Sequence, residues 1–242
     1  MKLSYTIGGG DPLIRNIPVF HNTTDVVKGA AIMRGVSDDT NEPYAVVAAG
    51  SFADIIGVTE ELVDNANTDN GLAGTTHSLY KVTMNPNNVY LAEYDQTDTA
   101  AETSASSSTT FNCTSIEGIA GGWIYMVSGA AIGQLQWVVS DDTNAVVTKT
   151  AFTTTGGTDT FIKILPQFHL LAKPITNGSK LGSDAGAGSL AVCVLANYIE
   201  ADNLPFQELD PVKHSGLTGL NSQNVKFYSE IMFRDHVLNP LS

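Results

Sequence analysis

The sequence predicts an all-β protein made of two small β-barrel or β-sandwich-like modules with extended N- and C-terminal arms. Three observations lead to this prediction. Only 15% of the 242 residues are charged and 43% are hydrophobic, a balance typical of chains that fold. Much of the remainder is Gly, Thr, Ser and Asn, which favour turns and strand surfaces over helices. Short apolar runs alternate with turn clusters, the pattern of many short strands.

The first segment, residues 1–22, contains three consecutive glycines, two prolines and scattered apolar residues without a period of two or 3.6. It predicts an extended arm, which its own domain or a neighbouring subunit has to cover. We take it as the candidate interaction arm, and we expect a chain that lacks it to fold but to bind its partner poorly. The apolar residues of this arm are Leu13, Ile14, Ile17, Val19 and Phe20.

The second segment, residues 23–96, is a predicted β-rich module of short apolar runs separated by turn residues. Its last part predicts a hairpin. Residues 78–84 alternate apolar and polar, 85–88 read Asn-Pro-Asn-Asn, and 89–94 return as a second strand.

A Ser/Thr-rich linker is predicted over residues 97–110, because this low-complexity stretch has few large apolar side chains to bury. A second β-rich module follows over residues 111–199. Within it, the unbroken apolar run at 190–195 predicts a core strand.

Residues 200–242 predict a C-terminal extension, kept irregular by prolines and glycines until a late strand at 225–234. Period two places four apolar residues of that strand on one face. They are Val225, Phe227, Ile231 and Phe233.

A short sequence is repeated in the two modules, as an internal echo. The sequence Gly-Ala-Ala-Ile occurs at 29–32 and at 129–132, and each copy leads into Val-Ser-Asp-Asp-Thr-Asn. A duplicated hairpin would produce this echo. Turn chemistry alone would also produce it, because Asp and Asn side chains bond back to the backbone of turns.

The charge of the chain limits its partners. Lys and Arg total 12 against 25 Asp and Glu, which gives a formal net charge of −13. This balance argues against nucleic acid and against a polybasic membrane-surface role. No apolar run approaches the roughly 18–20 residues of a membrane-spanning helix, so we expect no membrane partner.

No motif for catalysis or for a cofactor is present. The chain lacks a nucleophile elbow, a phosphate-binding loop and a dinucleotide fingerprint, and its five histidines are far apart without a paired metal-ligand spacing. We therefore predict no catalytic, cofactor-binding or metal-binding residue, and we do not expect an enzyme. The opposed carboxylates of a glycosidase cannot be read from a linear sequence, so that alternative stays open.

Several residues that resemble site components have a structural interpretation. The run at 65–71 imitates a calcium loop, but its glycine is one place late and Thr76 stands where a bidentate Glu is needed, so we predict a turn. The acid pairs at 38–39 and 141–142 predict solvated turns. Tyr80, Tyr90 and Tyr94 predict cross-strand packing. Cys113 and Cys193 predict two buried free thiols, with a single bridge as the alternative.

The residues from Trp123 to Val139, followed by Thr-Phe-Ile-Lys-Ile at 160–164, resemble a pattern recurrent in virion proteins of tailed phages. That pattern is an aromatic strand, a Gly-x-Gly-Gln turn, a strand, a Thr-rich hairpin and a final Thr/Ser-aromatic-x-Ile strand. Gln136 stands where an Arg is usual. The first module, with its apolar runs at 26–29, 45–48 and 55–58, is similar to β-modules of phage capsid decoration, or cement, proteins.

The resemblance implies a structural virion protein that binds the outer surface of an assembled phage capsid and stabilises it. Its partner would be the major capsid protein, and sites at local three-fold axes would favour a homotrimer. The protein would be made in the host cytoplasm and located on the outer capsid surface of the virion.

The sequence leaves two alternatives open. A carbohydrate-binding or depolymerising module of a phage fibre or cell-surface protein would use Trp123, Trp137, the tyrosines and the acids. A head-completion or tail component would occur as a ring at one vertex instead of in many shell copies.

Overall fold

The computed structural model describes residues 1–20, 28–36, 43–47, 55–61, 77–113, 118–168, 170–171, 175–176, 180–182 and 192–233. Over these ranges the chain is all-β, which confirms the predicted fold class, and short 3-10 turns occur at Ile7–Gly9 and Leu220–Ser222. No helix in the described ranges has the length and apolar character to cross a membrane. In chain order the strands are β1 (Lys2–Thr6), β2 (Ile14–Phe20), β3 (Ala31–Val36), β4 (Pro43–Val47), β5 (Ile55–Thr59), β6 (His77–Thr83), β7 (Asn88–Glu93), β8 (Ala100–Ser104), β9 (Thr110–Cys113), β10 (Trp123–Met126), β11 (Leu135–Asp142), β12 (Ala145–Thr148), β13 (Thr160–Ile164), β14 (Leu170–Leu171), β15 (Ile175–Thr176), β16 (Lys180–Leu181), β17 (Val192–Ala201), β18 (Leu204–Glu208) and β19 (Lys226–Phe233).

These strands form two closed barrels and one open sheet. The first barrel has the order β2-β4-β3-β5-β6, and the second barrel has the order β10-β11-β12-β9-β8-β13. The central sheet has the order β1-β7-β19-β17-β14, with β18 also paired to β17, while β15 and β16 form a separate ribbon. Closure leaves neither barrel an open edge, so the open edges belong to the central sheet and the ribbon.

The central sheet is built on β19, where buried and half-buried residues alternate over the whole strand. Phe227, Ile231 and Phe233 lie on its buried face, as period two predicts, and Val225 is buried just before the strand. The predicted core strand at 190–195 is represented by β17, which pairs with β19 over most of its length. Leu190 and Ala191 lie outside the described residues.

One buried cluster connects all three parts of the molecule. It contains Tyr90 and Phe227 from the central sheet, Ile55 from the first barrel, and Trp123 and Ile162 from the second barrel. Each barrel also has a smaller cluster of its own. The barrels and the sheet therefore share a core, so removal of any one part exposes apolar surface on the others.

The predicted N-terminal arm is instead part of two sheets. β1 pairs with β7 in the central sheet, and β2 pairs with β6 from Ile14–Thr83 to Phe20–His77. The sequence leaves open whether its own domain or a neighbouring subunit covers this extended arm, because scattered apolar residues do not show which partner strand covers them. Distant strands of the same chain cover these.

The predicted C-terminal extension also belongs to the fold. β17 crosses the expected boundary at residue 200, and β19 lies between β7 and β17 in the central sheet. The segment between β18 and β19 docks on the second barrel, where the nitrogen of Leu135 donates to the carbonyl of Leu217 at 3.0 Å. The carbonyl of Leu135 accepts from the nitrogen of Gly216 at 2.9 Å. This region therefore ties the second barrel to the sheet.

The predicted linker contributes a barrel strand. β8 pairs with β9 and β13. Its Glu102 is buried, accepting hydrogen bonds from the hydroxyl of Thr155 and from the nitrogen of Gly157. The composition predicts a linker because this segment has few large apolar side chains. Backbone pairing and one buried carboxylate hold β8 in the barrel instead.

The predicted hairpin between residues 78 and 94 is only half correct. Both strands exist, and the nitrogen of Asn88 donates to the carbonyl of Asn85 at 3.0 Å in the connecting turn. However, the described pairings place β6 in the first barrel and β7 in the central sheet. β2 and β1 respectively occupy the neighbouring positions that a hairpin would have used.

The two Gly-Ala-Ala-Ile copies have different structures. The first runs into β3, whereas the second forms the turns between β10 and β11. The repeated sequence therefore does not occupy equivalent positions of a duplicated hairpin. The two copies share one feature, because Gly29 and Gly129 both adopt positive φ.

Candidate functional site

The predicted interaction residues divide between core and surface. Ile17 packs against the buried cluster of the first barrel. Leu13 is half-buried with a φ of 54°, and Ile14 is exposed. Val19 and Phe20 continue β2, and their side chains lie outside the described part of the structure.

Exposed apolar side chains nevertheless concentrate near this segment. We define the N-terminal apolar surface as Tyr5, Ile7, Ile14 and Leu79, four of the ten exposed large hydrophobic residues in the described ranges. Leu79 is 64% exposed and lies on β6, opposite Pro18 of β2. Because β1 leads through one short turn into β2, and β6 borders β2, secondary structure holds these side chains in place.

The tryptophan and tyrosine residues that the carbohydrate alternative would use are mainly structural. Trp123 is 2% exposed and lies opposite Trp137, and both pack on the shared core. Tyr80, Tyr90 and Tyr94 are buried, as packing residues should be. The carbohydrate alternative therefore cannot use Trp123 as an exposed platform.

The acidic turns show no metal-binding arrangement in the described residues. Asp141 accepts from the nitrogen of Ile119 at 2.7 Å, and Asp142 accepts from that of Thr143 at 2.6 Å. No group of three His, Cys, Asp or Glu side chains that could hold a metal ion occurs in those ranges. The calcium-like run at 65–71 and the acid pair at 38–39 lie outside them.

Both cysteines are free thiols. Cys113 is buried, as predicted, and Cys193 is half-buried. Burial raises the pKa of the Cys113 thiol to about 12 and also raises that of Cys193. Such thiols are poor nucleophiles at neutral pH.

A groove of about 500 Å³ lies on the face of the central sheet that points away from the shared core. Period two explains its lining, because Tyr90 and Ala92 of β7 point into the core while Leu91 and Glu93 point outward. Tyr228 of β19 lies directly opposite Glu93. We call this site the sheet groove; it is lined by Met1, Lys2, Lys28, Leu91, Glu93, Lys180, Glu200, Phe206 and Tyr228.

Aromatic rings form one wall of the sheet groove. Phe206 of β18 is 45% exposed and stacks on Tyr198 of β17, with ring centres 4.8 Å apart and planes 12° apart. Tyr228 meets Phe206 edge-on at 5.6 Å. The three rings support one another and leave one surface of Phe206 available for contact.

Charged groups surround this aromatic wall. The hydroxyl of Tyr228 donates to Glu200 Oε2 at 3.0 Å, and Lys180 Nζ lies 3.3 Å from Glu93 Oε1. Desolvation, followed by the contact with Glu200, raises the pKa of Tyr228 above its usual range. Desolvation and the charges of Glu230 and Glu208 raise the pKa of Tyr198 to about 12. Both phenols therefore stay protonated at neutral pH.

Sequence reasoning missed this groove. The alternation over 225–234 predicts the buried face of β19. The same alternation places Tyr228 and Glu230 on the opposite face. The signal was present in that strand. Its partners on β7, β17 and β18 become neighbours only through pairings that the sequence does not specify.

Comparison with known proteins identifies no relative. No family model, no curated protein and no solved structure matches the chain.

Proposed function

We propose that this chain is a structural virion protein that binds the outer surface of an assembled phage capsid and stabilises it without catalysing a reaction. The observation that carries the proposal is the N-terminal apolar surface. Ile14 and Leu79 expose large aliphatic side chains on two paired strands, where a partner surface would remove them from water. Such burial contributes about 25 cal/mol per Å² of apolar area.

The position of these side chains on strands supports a binding role. A free arm would lose conformational entropy on docking, whereas β2 and β6 are already fixed by seven consecutive register pairs. A preorganised surface binds with a smaller entropic cost. This supports rigid contact between the shell and strands that are already paired.

Multiplicity provides the stabilising effect in this proposal. A standard interface buries about 1,600 Å² in total, and a shell offers many equivalent sites, so modest affinity per copy adds up over the particle. The partner would be the major capsid protein. A homotrimer at local three-fold axes would give each copy the same contacts.

The test is binding of the purified chain to capsids of the source phage that lack it, measured by co-sedimentation. Ile14→Asp combined with Leu79→Asp should weaken binding at least about tenfold, because each places a charge in an apolar contact. Val212→Asp is the matched control, since Val212 is 80% exposed and lies away from these strands, between β18 and β19.

Two results would reject the proposal. The first is native particles imaged by electron cryo-microscopy without density for this chain on the shell. The second is equal binding by the double variant and by the Val212→Asp control. Density confined to a ring at one vertex would assign the chain to head completion or the tail instead.

A further inference from the structure

The sheet groove has a chemistry different from that of the N-terminal apolar surface. It combines the partly exposed ring of Phe206 with charged groups of both signs. A purely apolar ligand would leave those charges desolvated and unpaired, which is costly. The ligand therefore needs both apolar surface and many hydrogen-bonding groups.

The charges in the groove nearly balance. Three ammonium groups, from Lys2, Lys28 and Lys180, stand against the carboxylates of Glu93 and Glu200. The lysines would repel a cationic ligand, and the net charge of −13 would repel an anionic polymer. A neutral ligand avoids both kinds of repulsion.

Hydrogen-bonding capacity remains after the internal contacts are made. Among the described residues, Tyr228 engages one oxygen of Glu200 and Lys180 engages one oxygen of Glu93. In the described ranges, the ammonium groups of Lys2 and Lys28 make no hydrogen bond to another side chain. The lining of the groove therefore offers a ligand both acceptors and donors.

From these features we propose that the sheet groove binds a neutral oligosaccharide, with one sugar ring stacked on Phe206 and its hydroxyls bonded to Glu200, Glu93 and the lysines. A sugar ring presents apolar C–H groups on its face and hydroxyls around its rim, which matches this arrangement of ring and charges. The groove volume of about 500 Å³ lies within the range of about 300–1,000 Å³ that small-molecule sites occupy. The inference does not depend on the capsid proposal, because it uses other residues.

The experiment titrates the intact chain with the neutral sugars maltotriose, cellotriose and triacetylchitotriose, and with heparin as an anionic comparison, using saturation-transfer NMR and then calorimetry. We expect at least one of the three to bind. Phe206→Ala should weaken that binding at least fivefold through loss of the stacking surface. Phe168→Ala is the matched control, since Phe168 is 76% exposed and outside the groove, and it should change the Kd less than twofold.

A second variant distinguishes the loss of a ligand contact from misfolding. Glu200→Gln keeps the size of the side chain but removes its charge, so it should also weaken binding while leaving the circular dichroism spectrum unchanged. Because the ligand is neutral, raising the salt concentration from 50 to 500 mM should change the Kd less than twofold. The inference is overturned if none of the three sugars binds, if Phe206→Ala and Phe168→Ala behave alike, or if heparin binds more tightly than the neutral sugars.

Discussion

The hydroxyl of Tyr94, at the end of β7, accepts a hydrogen bond from the backbone nitrogen of Leu165 at 2.8 Å, just after β13. The same hydroxyl lies 2.9 Å from that of Ser229, which in turn donates to Asn197 Oδ1. Asn197 Nδ2 then donates to the carbonyl of Leu165 at 2.8 Å. Four residues therefore form a closed ring of hydrogen bonds that joins the central sheet to the second barrel inside the shared core.

Tyr94→Phe should lower the free energy of unfolding by about 1–3 kcal/mol. The substitution keeps the ring but leaves the buried nitrogen of Leu165 without its acceptor and breaks the chain of donors through Ser229. Urea denaturation measures the change. Tyr5→Phe is the control, since Tyr5 is exposed, and it should change stability by less than about 0.5 kcal/mol. Equal losses for the two variants would contradict the assigned role of Tyr94.

The Tyr94 ring of hydrogen bonds shows where prediction from the sequence ends. The sequence predicts cross-strand packing for Tyr94, and the residue is buried in the shared core. Its partners Leu165, Asn197 and Ser229 are separated from it by 71 or more residues. Neither propensity nor periodicity contains information on such distant pairings.

Removal of residues 1–22 should unfold the protein, contrary to the expectation from sequence. The deletion takes away β1 from the central sheet and β2 from the first barrel, and it exposes the edges of β7 and β6. Circular dichroism and thermal denaturation measure the effect. Ile14→Ser changes one exposed side chain of the same segment and should keep the β spectrum. A truncated chain with a cooperative transition like that of the full chain would restore the expectation that the protein folds without this segment.

The sequence predicts strands more readily than it predicts their partners, for a physical reason. Strand identity depends on local pattern, alternation in β6, β7 and β19 and an unbroken apolar run in β17, so these strands could be predicted from their own residues. Strand partners depend on which pairing buries the most surface in the complete fold. For this reason the hairpin of β6 and β7 was wrong as a pairing although both strands exist, and the outer face of β19 was not recognised as part of a groove.

Gly129→Ala should destabilise the second barrel more than Gly219→Ala. Both glycines have positive φ, 79° and 75°, so both variants pay about 1–2 kcal/mol of backbone strain. A Cβ on Gly129 would also lie 1.9 Å from the carboxyl carbon of Asp159, whereas one on Gly219 would meet nothing within 4 Å. The carboxylate of Asp159 accepts hydrogen bonds from the nitrogens of Ala130 and Gly156, so its displacement breaks the turn.

Comparison of the two glycine variants separates the cost of backbone strain from the cost of the steric clash with Asp159. Thermal denaturation should give a clearly lower Tm for Gly129→Ala than for Gly219→Ala, with the wild type highest. Similar Tm values for both variants would mean that the turn at Gly129 relaxes and that Asp159 moves at little cost.

Stability should fall above pH 9 because of Cys113. Burial raises the pKa of this thiol from its ordinary value near 9 to about 12, and the charge of Glu102 raises it further while that of Lys163 opposes the shift. The folded chain then keeps a proton that the unfolded chain loses. The contribution is complete below pH 9 and is lost as the pH rises toward 12, with a slope of up to about 1.4 kcal/mol per pH unit.

Cys113→Ala tests this assignment, because alanine has no proton to lose. Denaturation with urea at pH 8, 9 and 10 should show the wild type losing up to about 1.4 kcal/mol more than the variant over this range. Cys193→Ala is the comparison, since Cys193 is only half-buried and its pKa is raised by burial alone, so its removal should flatten the pH profile less. Parallel profiles for the wild type and Cys113→Ala would contradict the raised pKa of this thiol, because the folded and unfolded chains would then lose its proton alike.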